Sequence, residues 1–313
     1  MSPQETREAE SRWALPAALA SFLAVALLVV SRFVDVGGTE NADVLRSVHA
    51  HPGSVTASGL MQAGALVILL VPILYLFRAV RARSPRVRSQ LIGLVVVAPI
   101  FLAVSAGLSI GARHEAADQF VAGEAKSTLS QREAHDECAA ERKEEGAKEF
   151  AEEFEPEKGE TPLAACERQG RENDEASNAL TEASLVPLTT GLGLAGSLGF
   201  VAALFYTCLW AMRTGLLTRF WGSLGMASGI AFLLGPLSFV ALVWFVYFGF
   251  LLIGLVPGGK PPAWEAGEAI PWPTPGEKAA AELEASPSED AEGSEVPPEE
   301  QAPPEKRKRK QRD

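Results

Sequence analysis

Apolar residues along this chain are gathered into blocks instead of alternating with polar ones. Five apolar runs occupy residues 13–34, 60–77, 91–111, 186–212 and 221–256. About 30 Å of hydrocarbon needs about 20 residues at 1.5 Å each, so each of the first four predicts one membrane-spanning helix. The fifth is about 36 residues, too long for one crossing, and carries Gly235-Pro236 near its middle. It reads as a tight helical hairpin, giving spans five and six; a single tilted, kinked helix is the alternative. The predicted class is an all-α integral membrane protein with six transmembrane helices. Its divisions are a polar leader (1–12), spans one to three (13–111), an acidic extracytoplasmic helical module (112–185), spans four to six (186–256) and a disordered tail (257–313).

The polar intervals set the orientation. Between spans two and three stand Arg78, Arg81, Arg83, Arg86 and Arg88 with no acid among them. Lys and Arg hold short loops in the cytoplasm. Arg213 and Arg219 flank the short loop before the fifth run, and Lys306, Arg307, Lys308, Arg309 and Lys310 stand near the C-terminus. Six spans with both termini cytoplasmic put all three groups on the inner face of the plasma (inner) membrane, whereas five would not. Run one reads as a retained signal anchor: its core is long, Glu5, Glu8 and Glu10 precede it, and no A-x-A-like site follows. The formal charge of −11 and the 47% hydrophobic content are averages over these segregated blocks.

Residues 35–59 and 112–185 then lie outside. The larger segment holds about twenty acids against about nine bases. It is rich in helix-forming Ala, Glu, Lys, Gln and Arg. Thr161-Pro162 supplies an N-cap followed by a proline at the first helical position. Phe120 and Val121, then Phe150 and Phe154 four apart, are its sparse apolar phase. These features predict a coiled-coil-like pair of antiparallel helices continuing spans three and four, the second interrupted at Gly170. Cys138 and Cys166 lie about 40 Å and 30 Å along those helices. A disulfide between them therefore needs a bend or an unwound turn. Two cysteines in one outside loop are expected to pair, with a stabilisation of roughly 3 kcal/mol. Cys208, in span four, reads as a small packing residue.

Small residues recur every four positions: Gly191, Ala195, Gly199 and Ala203 in span four, Ala103, Gly107 and Gly111 in span three, and Gly225 and Gly229 in span five. Such spacing predicts close helix packing, within the chain or between copies. Trp244, Phe245, Tyr247, Phe248 and Phe250 make span six bulky and predict a lipid-facing helix. Trp264 and Trp272 are expected at the membrane interface.

Candidate chemistry is thin. The spans carry no Asp, Glu, Lys, Arg or His near mid-depth, which argues against an ion-coupled transporter. A neutral or lipid-like solute path through Ser105, Ser109, Thr189, Thr190 and Ser197 stays open as a second reading. His49, His51, His114 and His135 all fall outside, and HEAAD at His114 is half of an H-E-x-x-H site with Asp118 where the second His would stand. No Walker, Rossmann, G-x-S-x-G or CxxC pattern is present. No catalytic, cofactor or metal residue is assigned. Expected partners are the lipid bilayer, an envelope protein through residues 112–185, and anionic lipid at the C-terminal basic cluster, with no nucleic acid.

The stretches LRSVHAHPGSVTASGLMQAGALVILLVPILYLFRAVRAR and MRTGLLTRFWGSLGMASGIAFLLGP resemble uncharacterised multi-pass membrane proteins of high-GC actinobacteria. PPAWEAGEAIPWP is similar to tails found there, while the long acidic module departs from that pattern. The resemblance implies membrane location and a bacterial host, and carries no activity or site residues.

Overall fold

The computed structural model describes residues 3–35, 37–38, 40–154, 156, 159–234, 239–273 and 276–277. Every regular element among them is helical. Four helical segments are long and apolar enough to cross a membrane: Pro3–Val34 (α1), Pro52–Arg83 (α3), Ser89–Val121 (a 3-10 turn, then α4, Ile92–Val121) and Val186–Arg213 (α8). These helices outrun their apolar blocks. α1 begins inside the polar leader, α3 begins at Pro52, and Asn41–Ala50 (α2) makes most of the expected outer loop helical. Hydropathy marks the apolar stretch of a helix and not its ends; α3, for one, starts on a proline at its first position.

The fifth apolar run becomes two helices, Arg219–Leu233 (α9) and Phe239–Ile253 (α10). They fold antiparallel: Trp221 stacks on Tyr247 with centroids 3.4 Å apart, the Trp244 indole donates to the Trp221 carbonyl at 2.9 Å, and Ser228 reaches the Val240 carbonyl. Each has 15 residues and is about 22 Å long, short of a full hydrocarbon thickness. Gly235-Pro236, expected as the break, lies outside the described residues.

Six helices form a ring in chain order. α1 packs on α3, α3 on α4, α4 on α8, α8 on α9, α9 on α10 and α10 back on α1, while α3 also touches α8. The core is one apolar cluster including Phe77, Phe200, Leu204, Trp244, Phe245 and Phe248. α10 is thus exposed on one side only, at Phe239, Val243, Phe250 and Ile253, and not around its whole circumference. Trp244, Phe245 and Phe248 are buried, because α1 and α9 enclose them. Ser21 donates to the Phe245 carbonyl at 2.7 Å, and Phe22 meets Phe250 edge-on beside Gly249. Cys208 is fully buried next to Gly225, as a packing atom.

The tail does not begin at residue 257. Pro262–Ala266 (α11) has proline at its first position and Gly267 at φ +72°, the ordinary start and stop of a short helix. Trp264 is buried and donates to the Leu216 carbonyl, so it anchors this stretch in the core. Trp272 donates to the Leu217 carbonyl and the Ile270 amide to that of Thr214. Gly215, at φ +78°, lies so close to the Ile270 carbonyl that a Cβ would collide with it. Hydrogen bonding to the α8–α9 turn, supplied by two indoles, orders a stretch that has no apolar period. The remainder of the tail, with its basic cluster, lies outside the described residues.

Candidate functional site

The module at residues 112–185 is built on four helical pieces: the end of α4, Gln131–Glu145 (α5), Ala147–Glu153 (α6) and Pro162–Glu182 (α7). α4 carries the chain out of the apolar region without a break to Val121. α5 starts on a capping box between Ser130 and Glu133, and α7 on Thr161, whose hydroxyl accepts from the Ala164 amide. α7 is continuous through Gly170, which does not interrupt it. A helical glycine costs only about 1 kcal/mol, less than the packing on either side supplies.

The unwound turn falls instead at residues 122–130. Asp174 of α7 holds it. Its Oδ2 accepts from the Thr128 amide (2.6 Å), the Ser127 hydroxyl (2.8 Å) and the Leu129 amide (3.1 Å). Asn178 adds a bond to the Lys126 carbonyl. Partial burial opposes ionisation of Asp174, but the bonds from Ser127, Leu129 and Thr128 outweigh it and hold the carboxyl below its usual range. Hydrogen bonds from Ser184 lower Glu115, and those from Ser130 lower Glu133. Because residues 122–130 are not helical, the two arms end level. Cys138 and Cys166 come within 6.0 Å at Cα and are joined as a disulfide. Phe150 is buried against that bridge, with Phe154 on it.

The module is docked as well as tethered. Alanines form the seam: Ala112, Ala116 and Ala117 of α4, Ala176 and Ala179 of α7, and Ala42 of α2 bury one another around Leu45 and Val48. Arg46 of α2 pairs with Glu172 of α7, and that bond, ahead of the opposing burial, raises the arginine's pKa. The Asn41 amide donates to Asn173. Below the seam, Arg113 meets Asp35 at 3.0 Å, and Ser58 donates to the same carboxylate.

Three of the histidines have separate partners. His49 meets Asp118 at 3.0 Å, His135 meets Glu167 at 2.7 Å, and His114 meets the Thr56 hydroxyl. His114 and Asp118, read together in HEAAD, thus serve different neighbours. Among the described residues no three His, Cys, Asp or Glu side chains gather as a metal site.

The small-residue stripe divides. Gly199 and Ala203 lie in packed interfaces, and Gly225 and Gly229 sit against α8, with Gly225 also beside Trp244. Gly191 and Ala195 are exposed, and Gly191 has open space where a Cβ would stand. A strict four-residue row drifts about 40° per step on a 3.6-residue helix, so it leaves the contact face within two steps. The close approach to α4 is made by Gly199, against Ala98, and by two glycines outside the row: Gly193, against Ser105, and Gly196, against Leu102 and the Ala98 carbonyl. Gly107 has open space where a Cβ would stand, and Gly111 is near only Leu185. Three of the five hydroxyls of the solute path are occupied: Ser105 donates to the Thr189 carbonyl, Ser109 to that of Ala106 and Thr189 to that of Val186. Thr190 is exposed and Ser197 half-buried.

At the opposite end, Arg83 has a fully buried side chain. It pairs with both carboxylate oxygens of Glu10, donates to the Ala263 and Ala79 carbonyls, and lies over the Trp264 ring at 5.4 Å. One of the five loop arginines is thus a structural tie between α1, α3 and α11. Neither Glu10 nor its pairing had a signal in the sequence, whereas Pro262 and Gly267 did mark α11.

These features define a helical membrane protein with a disulfide-bonded helical module at one end. No family model matches the chain, and no curated protein or solved structure matches it.

Proposed function

We propose that this is a non-enzymatic plasma-membrane protein that crosses the bilayer six times. Both termini lie in the cytoplasm, and residues 112–185 form an extracytoplasmic interaction or sensing module. The observation that carries the reading is the stiff connection of the module. α4 passes into it without a break, and α7 returns to α8 through three residues, 183–185. A load on the module is transmitted to two helices that pack along each other. The bond from Ser105 to the Thr189 carbonyl, which ties α4 to α8, weighs against the solute-path reading. Six crossings are supported by the closed ring, with α9 and α10 accommodated by local bilayer thinning. Shared sidedness of the two termini is supported by Arg7, which donates to the Glu265 carbonyl.

Intact cells treated with a membrane-impermeant maleimide test the topology. Cys138 and Cys166 should label only after reduction, and labelling that requires an opened membrane would invert it. Photo-crosslinkers at exposed positions such as Glu144 and Arg132, in the full-length protein, test the role. A discrete envelope adduct should form and vanish in Cys138→Ser; no adduct from any position on α5, α6 or α7 would sink the interaction reading. The full chain is needed because α2 and α3 supply part of the seam.

A further inference from the structure

Near the α11 end, residues of α1 and α3 line a groove of about 620 Å³. That volume suits a ligand-sized occupant. Its wall is apolar, with Trp13 on α1 and Leu70 and Leu74 on α3, and its mouth carries Arg78 and Arg81. Both arginines are exposed and have no ion pair among the described residues. They lie three positions apart, so they share a helix face. Glu10 is the one carboxylate on this lining, and Arg83 already occupies both its oxygens. The mouth is therefore net positive.

The groove's length is informative. From Leu70 to Arg81 α3 rises about 16 Å, about half of a hydrocarbon core about 30 Å thick. An apolar slot one leaflet deep, ending in two cations beside a half-exposed tryptophan at 59% exposure, matches one chain and one headgroup. We propose that the groove binds an anionic glycerophospholipid of the inner leaflet, with one acyl chain along Trp13, Leu70 and Leu74 and the phosphate between Arg78 and Arg81. Guanidinium groups pair with phosphate through charge-assisted hydrogen bonds. A zwitterionic headgroup brings a cation of its own to the same rim, and a free phosphate has no use for the wall. The inference rests on the membrane-spanning reading and not on any role of the outer module.

Native mass spectrometry of the full-length protein in mild detergent tests it, using equal amounts of phosphatidylglycerol and phosphatidylcholine with identical chains. The wild type should retain phosphatidylglycerol preferentially, and Arg78→Gln/Arg81→Gln should lower that preference about tenfold at an unchanged melting temperature. Arg86→Gln/Arg88→Gln should leave it intact, and Leu74→Trp should reduce retention of both lipids by filling the slot. Equal retention of the two lipids by the wild type would overturn the proposal while leaving the membrane reading standing. Displacement by millimolar inorganic phosphate would also overturn it, by marking a free-anion site. Loss of the preference in Arg86→Gln/Arg88→Gln would do the same, by assigning it to the loop at large.

Discussion

Arg83 shows how little of a side chain's role its local sequence reveals. Five arginines between two spans read as one signal, the cationic loop that stays inside. Four of them, Arg78, Arg81, Arg86 and Arg88, are exposed. Arg83 is buried instead, satisfied by Glu10 from 73 residues away and by the Ala263 carbonyl from 180 residues away. Removing one partner of a buried pair leaves an uncompensated charge, at a cost of about 3–5 kcal/mol. Arg83→Gln should lower the thermal midpoint in detergent markedly, and Arg83→Met/Glu10→Leu should recover much of the loss. Equal midpoints for wild type and Arg83→Gln would show that the pair contributes nothing. Asp174 is a second such residue: within a run of acids nothing marks it as the one that holds Thr128 and Leu129. Asp174→Asn should speed hydrogen exchange at those two amides without unfolding α7.

Among the elements, the module's stability rests on its staple and on its carboxylates. Loss of the disulfide in Cys138→Ser opens a loop of nearly thirty residues and should cost roughly 3 kcal/mol, read as earlier melting of the module's helical signal. Asp174, Glu115 and Glu133 all have lowered folded values. Their contribution is therefore fully present well above the ordinary carboxylate values of 3.8 and 4.5, and is lost as pH falls through the lowered ones. Helicity of the module should hold at neutral pH and decline only in acid below about pH 4; a decline centred near pH 6 would contradict this. The α4–α8 pair offers a paired test. Gly196→Leu must push a side chain into the Leu102 amide and the Ala98 carbonyl, whereas Gly191→Leu enters open space. The first should destabilise by more than about 2 kcal/mol and the second by less than about 0.5 kcal/mol, compared by thermal unfolding. The four-residue row in the sequence marked Gly191 and passed over Gly196.

Over the whole molecule, the reading from sequence and the structure part company in an orderly way. Block hydropathy determined that the protein is helical and suited to a membrane, because a chain that must satisfy its backbone inside hydrocarbon has little other choice. The break in the fifth run, the Thr161 cap and the two cysteines that could pair were also legible, since each depends on neighbours in the chain. Tertiary structure alone decided where the ring closes. It buried one face of α10 between α1 and α9, unwound residues 122–130 to bring the cysteines level, and folded residues 257–272 back under α8 and α9. Each of these depends on groups far apart in sequence, such as Ser21 with Phe245, Asp174 with Thr128, and Trp264 with Leu216. Periodicity records only which residues avoid water. It does not record which distant surface excludes the water, and that surface is what sets the face, the bend and the burial.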